Sequence, residues 1–225
     1  MECMGQSETA VELPLLGEPL PVELMNTLHL SRLGGPYDVV GNASQAAVWV
    51  DAVAPRLPVV VGGGQAADVT GLGEADGGRL RALRDALRVL AAEVTGAPPQ
   101  FLSDADPTRQ EALDTVNGLS GLARVWPEMA WPDGAEPEAV FGSTAGFGDR
   151  VVSLLARQAV DLFTGPDRAR LRACLAPGCD RYFIKQHSRR EWCTSACGNR
   201  ARVARHYRRH HGGAAESGGA AAHRG

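Results

Sequence analysis

Four cysteines within 24 residues constrain this chain more than any other feature. Cys174-Leu-Ala-Pro-Gly-Cys179 and Cys193-Thr-Ser-Ala-Cys197 make a C-x4-C pair and a C-x3-C pair, 13 residues apart. Each pair is a local chelate, and the gap is long enough to fold the second back onto the first. A tetrahedral site of four thiolates needs this layout, and both spacings fall in the range of structural zinc centres. So short a segment buries too little apolar surface to hold itself, which makes one structural Zn²⁺ its expected staple. Two disulfides are the alternative. The N-terminus carries no basic and apolar leader, and the cysteine total is five, an odd number; both weigh against disulfides. His187, between the pairs, is an alternative ligand.

The neighbouring residues predict the local fold. Pro177-Gly178 supplies a tight turn before Cys179. Arg181 to Ile184 is β-prone, Lys185 to Ser188 is turn-like, and Arg189 to Trp192 is expected to return as a second strand. Thr194 or Ser195 caps a helix running to about His210. Knuckle, hairpin and helix form a treble-clef-like finger, with Trp192 and Phe183 as the small core under the metal. On a helical wheel, Ala201, Val203, Ala204 and Tyr207 share the arc of Cys197 and are expected to pack on the hairpin. Arg202, Arg205, His206 and Arg209 form the opposite, solvent-facing stripe. Arg200 falls on the packed side. Asn199 and Arg200 are therefore read as structural, capping carbonyls or hydrogen-bonding near the thiolates.

Charge is split along the chain. Residues 1–167 carry 10 Lys and Arg against 23 Asp and Glu, a net of −13, and residues 168–211 carry 12 against 2, a net of +10. A basic module with an arginine stripe can neutralise phosphates and release counterions, so duplex DNA is the expected partner. Arg202, Arg205 and Arg209 would make the contacts, with Arg189 and Arg190 reaching the backbone. An arginine entering the major groove can also fork onto guanine. Few aromatics are available in the finger for stacking single-stranded bases, which disfavours RNA. Docking of the stripe on an acidic protein surface, including the chain's own N-terminal part, is the rival reading. No run of apolar residues reaches membrane-spanning length, and the cytoplasm is the expected location.

Cys174, Cys179, Trp192-Cys193 and the literal run Cys197-Gly198-Asn199-Arg200, followed by a basic helix, resemble the CGNR zinc-finger family of bacterial proteins. The resemblance covers residues 170 to 211. Upstream, Glu23-Leu24-Met25-Asn26-Thr27 is similar to the Asn-Thr element of the ABATE domain found before this finger. The resemblance implies a stress-induced transcription regulator, with a DNA-binding finger behind an N-terminal domain that senses a ligand or stress. It also makes Asn26 a candidate for a buried polar or ligand contact.

The N-terminal part reads as mainly helical. Residues 1–18 lack a period and are expected to be a loose lead-in. Helices are expected over Leu20–Leu30, from Asn42 or Ser44 to Ala54, over Gly78–Thr95, from Asp106-Pro107 to about Gly118 or Ala123, and over Asp149–Phe163. Arg81, Arg84 and Arg88 are expected on a solvated face. Val59 to Val61 suggests a short strand, and Gly62 to Gly64 a flexible loop without phosphate-loop chemistry. Ala123–Trp131 and Ala139–Phe141 predict a hairpin around Pro132-Asp133-Gly134. Trp126 and Trp131 either wall a pocket for a small-molecule effector or belong to the core. Gly165-Pro166 marks the boundary, followed by a short basic helix over Asp167–Ala173. The expected architecture is α+β: an ABATE-like domain over 1–165, a zinc finger over 166–211 and a disordered tail over 212–225. No Ser/His/Asp set, paired carboxylates or open metal site stands out. An enzyme is therefore not expected, and a nuclease using His187 is the weakest alternative.

Overall fold

The longest helix is the axis on which the rest is hung. A computed structural model describes residues 13, 15–31, 35–58, 72–102 and 105–211. The glycine run at 62–64 with the strand before it, lead-in residues 1–12 and the tail over 212–225 lie outside the described residues. Helix α3 (Glu74–Thr95) is flanked by α1 (Leu20–Met25), α2 (Ala43–Val53), α4 (Arg109–Ser120) and α5 (Phe147–Thr164). Its leucines at 80, 83, 87 and 90 recur every three or four residues and are buried together with Ala86 and Ala91. Gly96, at φ 61°, ends it in the left-handed conformation that glycine adopts without a Cβ penalty. At the other end, Gly148 of α5 approaches so closely that a Cβ there would sit 2.4 Å from the Asp76 carboxyl carbon.

Among the described residues, three two-stranded antiparallel sheets decorate this bundle: β1 (Leu28–Ser31) with β2 (Gly35–Asp38), β3 (Trp126–Ala130) with β4 (Glu138–Gly142), and β5 (Leu171–Ala173) with β6 (Tyr182–Ile184). The mainly helical α+β architecture agrees with expectation, and the elements differ in instructive ways. The first helix stops at Met25, because Asn26 and Thr27 turn the chain into β1. Helix α3 begins four residues before Gly78. Helix α4 is capped by Thr108, not by Asp106: Thr108 Oγ1 accepts from Glu111 N, and Glu111 Oε2 accepts from Thr108 N, a reciprocal capping box. The Thr108 hydroxyl, donating to Glu111 Oε2 at 2.7 Å, together with the Thr108 backbone N–H, holds the Glu111 carboxyl below its usual range. Residues 166–170 form a 3-10 turn, and 171–173 a strand in place of the expected basic helix.

Burial corrects the reading of the arginines on α3. Arg84 and Arg88 are buried, because α3 is covered on most sides and its polar side chains must find partners inside. Arg84 pairs with Asp38 at 2.5 Å and Asp85 at 2.8 Å. Arg88 donates to the carbonyls of Met25 and Phe101, both at 3.0 Å, and to that of Asp180 at 3.5 Å.

Candidate metal centre and basic helix

The first cysteine pair is folded by the β5–β6 ladder. Register places Leu171 opposite Ile184 and Ala173 opposite Tyr182, so residues 174–181 form the loop between the strands. Cys174 N donates to Arg181 O at 2.8 Å, Cys179 N donates to Ala176 O at 2.9 Å, and Gly178 takes φ 71° in the turn. The expected return strand at 189–192 does not form; that stretch is irregular, since the edge of β6 facing away from β5 is taken by the side chains of Asn26, Glu18 and Arg190. The second pair brackets the start of helix α6 (Ser195–His211), where Thr194 Oγ1 accepts from Cys197 N at 3.2 Å.

All four sulfurs lie within 4.8 Å of one another, and this is the one such cluster among the described residues. Cys179 and Cys193 sulfurs are 3.7 Å apart, those of Cys193 and Cys197 3.4 Å, and none of the four cysteines is in a disulfide. A Zn–S bond of about 2.3 Å gives a tetrahedral edge of about 3.8 Å, whereas a disulfide is about 2.05 Å. The donor set and its spacing therefore fit zinc. His187 is exposed and outside the cluster. Electrostatics agree. The Cys179 and Cys193 thiols hold the Cys174 thiol well below its ordinary range, while contact with Cys174 pushes Cys179 and Cys193 up. One anion is accommodated by its neighbours, and further ones need a divalent cation.

The signature residues surround this centre. Arg200 Nη2 donates to Cys197 Sγ at 3.0 Å, the thiolate contact expected of it, although the residue is exposed. A Cβ at Gly198 would lie 3.0 Å from Trp192 Cδ1, so glycine lets the indole pack over the first turn of α6. Phe183 and Trp192 form the core under the metal as expected. Asn199 is exposed and accepts from Arg202 through its Oδ1.

Arg190 departs from expectation. It does not face solvent with Arg189. Its guanidinium turns inward, pairs with buried Glu18, and donates to the carbonyls of Ile184 and Cys193, both at 3.0 Å. It also lies over the Phe183 ring, 5.0 Å from the centroid. Glu18 completes the clamp by accepting from Ile184 N at 2.9 Å. Leu15, Leu16 and Glu18 are thus packed, not part of a loose lead-in. Sequence reading missed Glu18 because neither it nor Arg190 announces a partner 172 residues away.

Arg189, Arg202, Arg205 and Arg209 are exposed, and so is Arg208, which the wheel left out. Val203 and Tyr207 do not pack on the hairpin; they are 69% and 62% exposed, because α6 leaves the body after Ala201. Together with exposed Leu175 they border a groove flanked by Arg200, Arg205 and Arg208.

The three residues expected to line a ligand pocket do not come together. Asn26 is buried, and its amide serves as a strand partner: Nδ2 donates to Tyr182 O at 2.9 Å, and Oδ1 accepts from Tyr182 N at 2.8 Å. Trp126 and Trp131 are 39% and 68% exposed on the β3–β4 ribbon, neither walling a pocket with Asn26 nor joining the core. Beside Asn26, Arg181 donates to His29 Nε2, which leaves the His29 Nδ1 proton for Asp180 Oδ1 at 3.3 Å. Every one of these contacts joins the finger to the helical part.

Comparison with known proteins agrees with this geometry. A family model for ABATE, described as "Putative stress-induced transcription regulator", matches residues 18–166. A model for the CGNR zinc finger matches residues 170–210. No curated protein matches the chain. No helix among the described residues is long and apolar enough to cross a membrane. Cys174, Cys179, Cys193 and Cys197 hold a single structural zinc, and the chain belongs to the ABATE family, with a CGNR zinc finger following that domain.

Proposed function

We propose that this protein is a DNA-binding transcription regulator that presents helix α6 to duplex DNA. The observation that carries this reading is the charge and exposure of α6. It holds Arg200, Arg202, Arg205, Arg208 and Arg209, has no acidic residue, and is exposed at every one of those arginines. A helix projecting from a zinc-fixed base is shaped to enter a major groove, and its phosphate contacts supply affinity while base contacts supply specificity. Arg189 joins this surface. Arg190 is withdrawn from it, and Arg208 takes its place. Zinc does no chemistry here; it fixes the angle at which α6 leaves the body.

A salt titration tests the reading. If Arg189, Arg202, Arg205, Arg208 and Arg209 each neutralise one phosphate, log K against log salt should fall with a slope of about −4.5. Replacing Arg202, Arg205 and Arg209 by Ala should flatten the slope by about 3 while zinc content stays unchanged. If that variant keeps its zinc and binds DNA as tightly as the parent, α6 is not the DNA surface. Docking on an acidic protein then becomes the better reading.

A further inference from the structure

We propose that the β3–β4 ribbon of one copy of this chain docks along helix α6 of a second copy, closing a reciprocal dimer in which each ribbon covers the other copy's basic helix. Register puts Pro127 opposite Phe141 and Met129 opposite Ala139. In an antiparallel ladder, opposed residues share a face, so Pro127, Met129, Ala139 and Phe141 make one wholly apolar side. Met129 is 76% exposed and Phe141 38%, with Trp131 exposed just beyond the strand. A two-stranded ribbon is marginal in water by itself, and a contiguous exposed apolar face marks an interaction site. These side chains stay exposed with α6 of the same chain in place, so that helix is not what covers them.

Charge identifies the occupant. Residues 125–142 hold Glu128, Asp133, Glu136 and Glu138 and no Lys or Arg. Nucleic acid is therefore repelled, and ribbon-on-ribbon pairing sets four negative charges against four. Helix α6 offers the complement: an apolar strip of Val203 and Tyr207 beside Leu175, edged by Arg200, Arg205 and Arg208. The lengths agree as well. Five residues of strand span about 17 Å, and the projecting ten residues of α6 span about 15 Å. Reciprocal contact between two copies closes the assembly by a two-fold axis. The consequence for regulation rests on the DNA-binding reading above: docking would withdraw α6 from DNA.

Sedimentation velocity of the full, zinc-loaded chain at low ionic strength tests the contact without DNA. Dimer should accumulate as the concentration rises towards about 100 µM. Met129→Asp with Trp131→Ser should weaken it at least about tenfold, and so should Arg205→Glu with Arg208→Glu. Adding Asp133→Arg and Glu136→Arg, in the exposed turn that ends the apolar face, to the arginine reversals should restore association to within about threefold of the parent. All these positions are exposed, and zinc content with circular dichroism verifies that each variant is folded. A parent chain that stays monomeric overturns the proposal. So does a dimer indifferent to the arginine reversals, or one that the compensating charges fail to restore. In a second arm, duplex DNA should convert dimer into DNA-bound monomer. If the chain does not bind DNA at all, that arm fails, while the DNA-free sedimentation result still stands or falls separately.

Discussion

Glu18, Asn26 and Arg88 each hydrogen-bond through their side chains to backbone groups far away in the chain, and Arg190 bonds to backbone close by while its guanidinium pairs with Glu18 across 172 positions. Three of them, Glu18, Asn26 and Arg190, work directly on strand β6 or its flanks. Buried backbone groups outside a ladder must find partners, and here side chains supply them. Glu18 is 1% exposed, and Arg190 is its ion-pair partner. Removing one partner of a buried pair costs about 3–5 kcal/mol, because the other charge is left without compensation. Arg190→Ala should therefore lower the unfolding free energy by about 3 kcal/mol in urea titrations and leave the salt slope of DNA binding unchanged. Arg205→Ala should do the reverse, with a stability change within about 0.5 kcal/mol and a slope smaller by about one. Swapping those two outcomes would mean the assignment of inward and outward arginines is wrong.

Among the elements, the ribbon and helix α6 contrast with the interior helices. The periods of α2, α3 and α5 are legible in sequence because burial of one face writes leucine and valine at helical spacing. The four thiols were equally legible, since a metal site demands residue type and spacing together. What the sequence could not tell was the environment of individual polar residues. Arg88 reads as solvated on a helical wheel, yet the layers above it come from residues near 25, 101 and 180. Val203 and Tyr207 read as packed because the wheel assumes a body beneath the whole helix, and the body ends at Ala201. The tryptophans of the ribbon read as pocket or core because aromatics usually are. Their exposure gives a clean expectation. Trp131→Ser should change the unfolding free energy by no more than about 0.5 kcal/mol by chemical denaturation, whereas a core indole would cost at least about 3 kcal/mol.

At the scale of the whole molecule, the stretch near Gly165, where the two family matches meet, is not a boundary between independent folding units. Leu171, Tyr182 and Ile184 belong to the same apolar cluster as α1, α3 and α5. Burying three such side chains contributes about 1.5–3 kcal/mol each, a large part of the 5–15 kcal/mol that holds an ordinary domain. Zinc removal should therefore not release the finger alone. Calorimetry should show one cooperative transition in the zinc-loaded chain, shifted to lower temperature as a whole by a chelator. A finger transition that disappears beside an unmoved second one would contradict this. The Asn26–Tyr182 bonds span 156 positions. During synthesis, then, α1 and α3 leave the ribosome without the strand that completes their core, and their polar groups wait in water for it. A nascent chain interrupted before residue 182 holds an unfinished protein, not a finished sensor lacking its finger, and quality control would meet it as one.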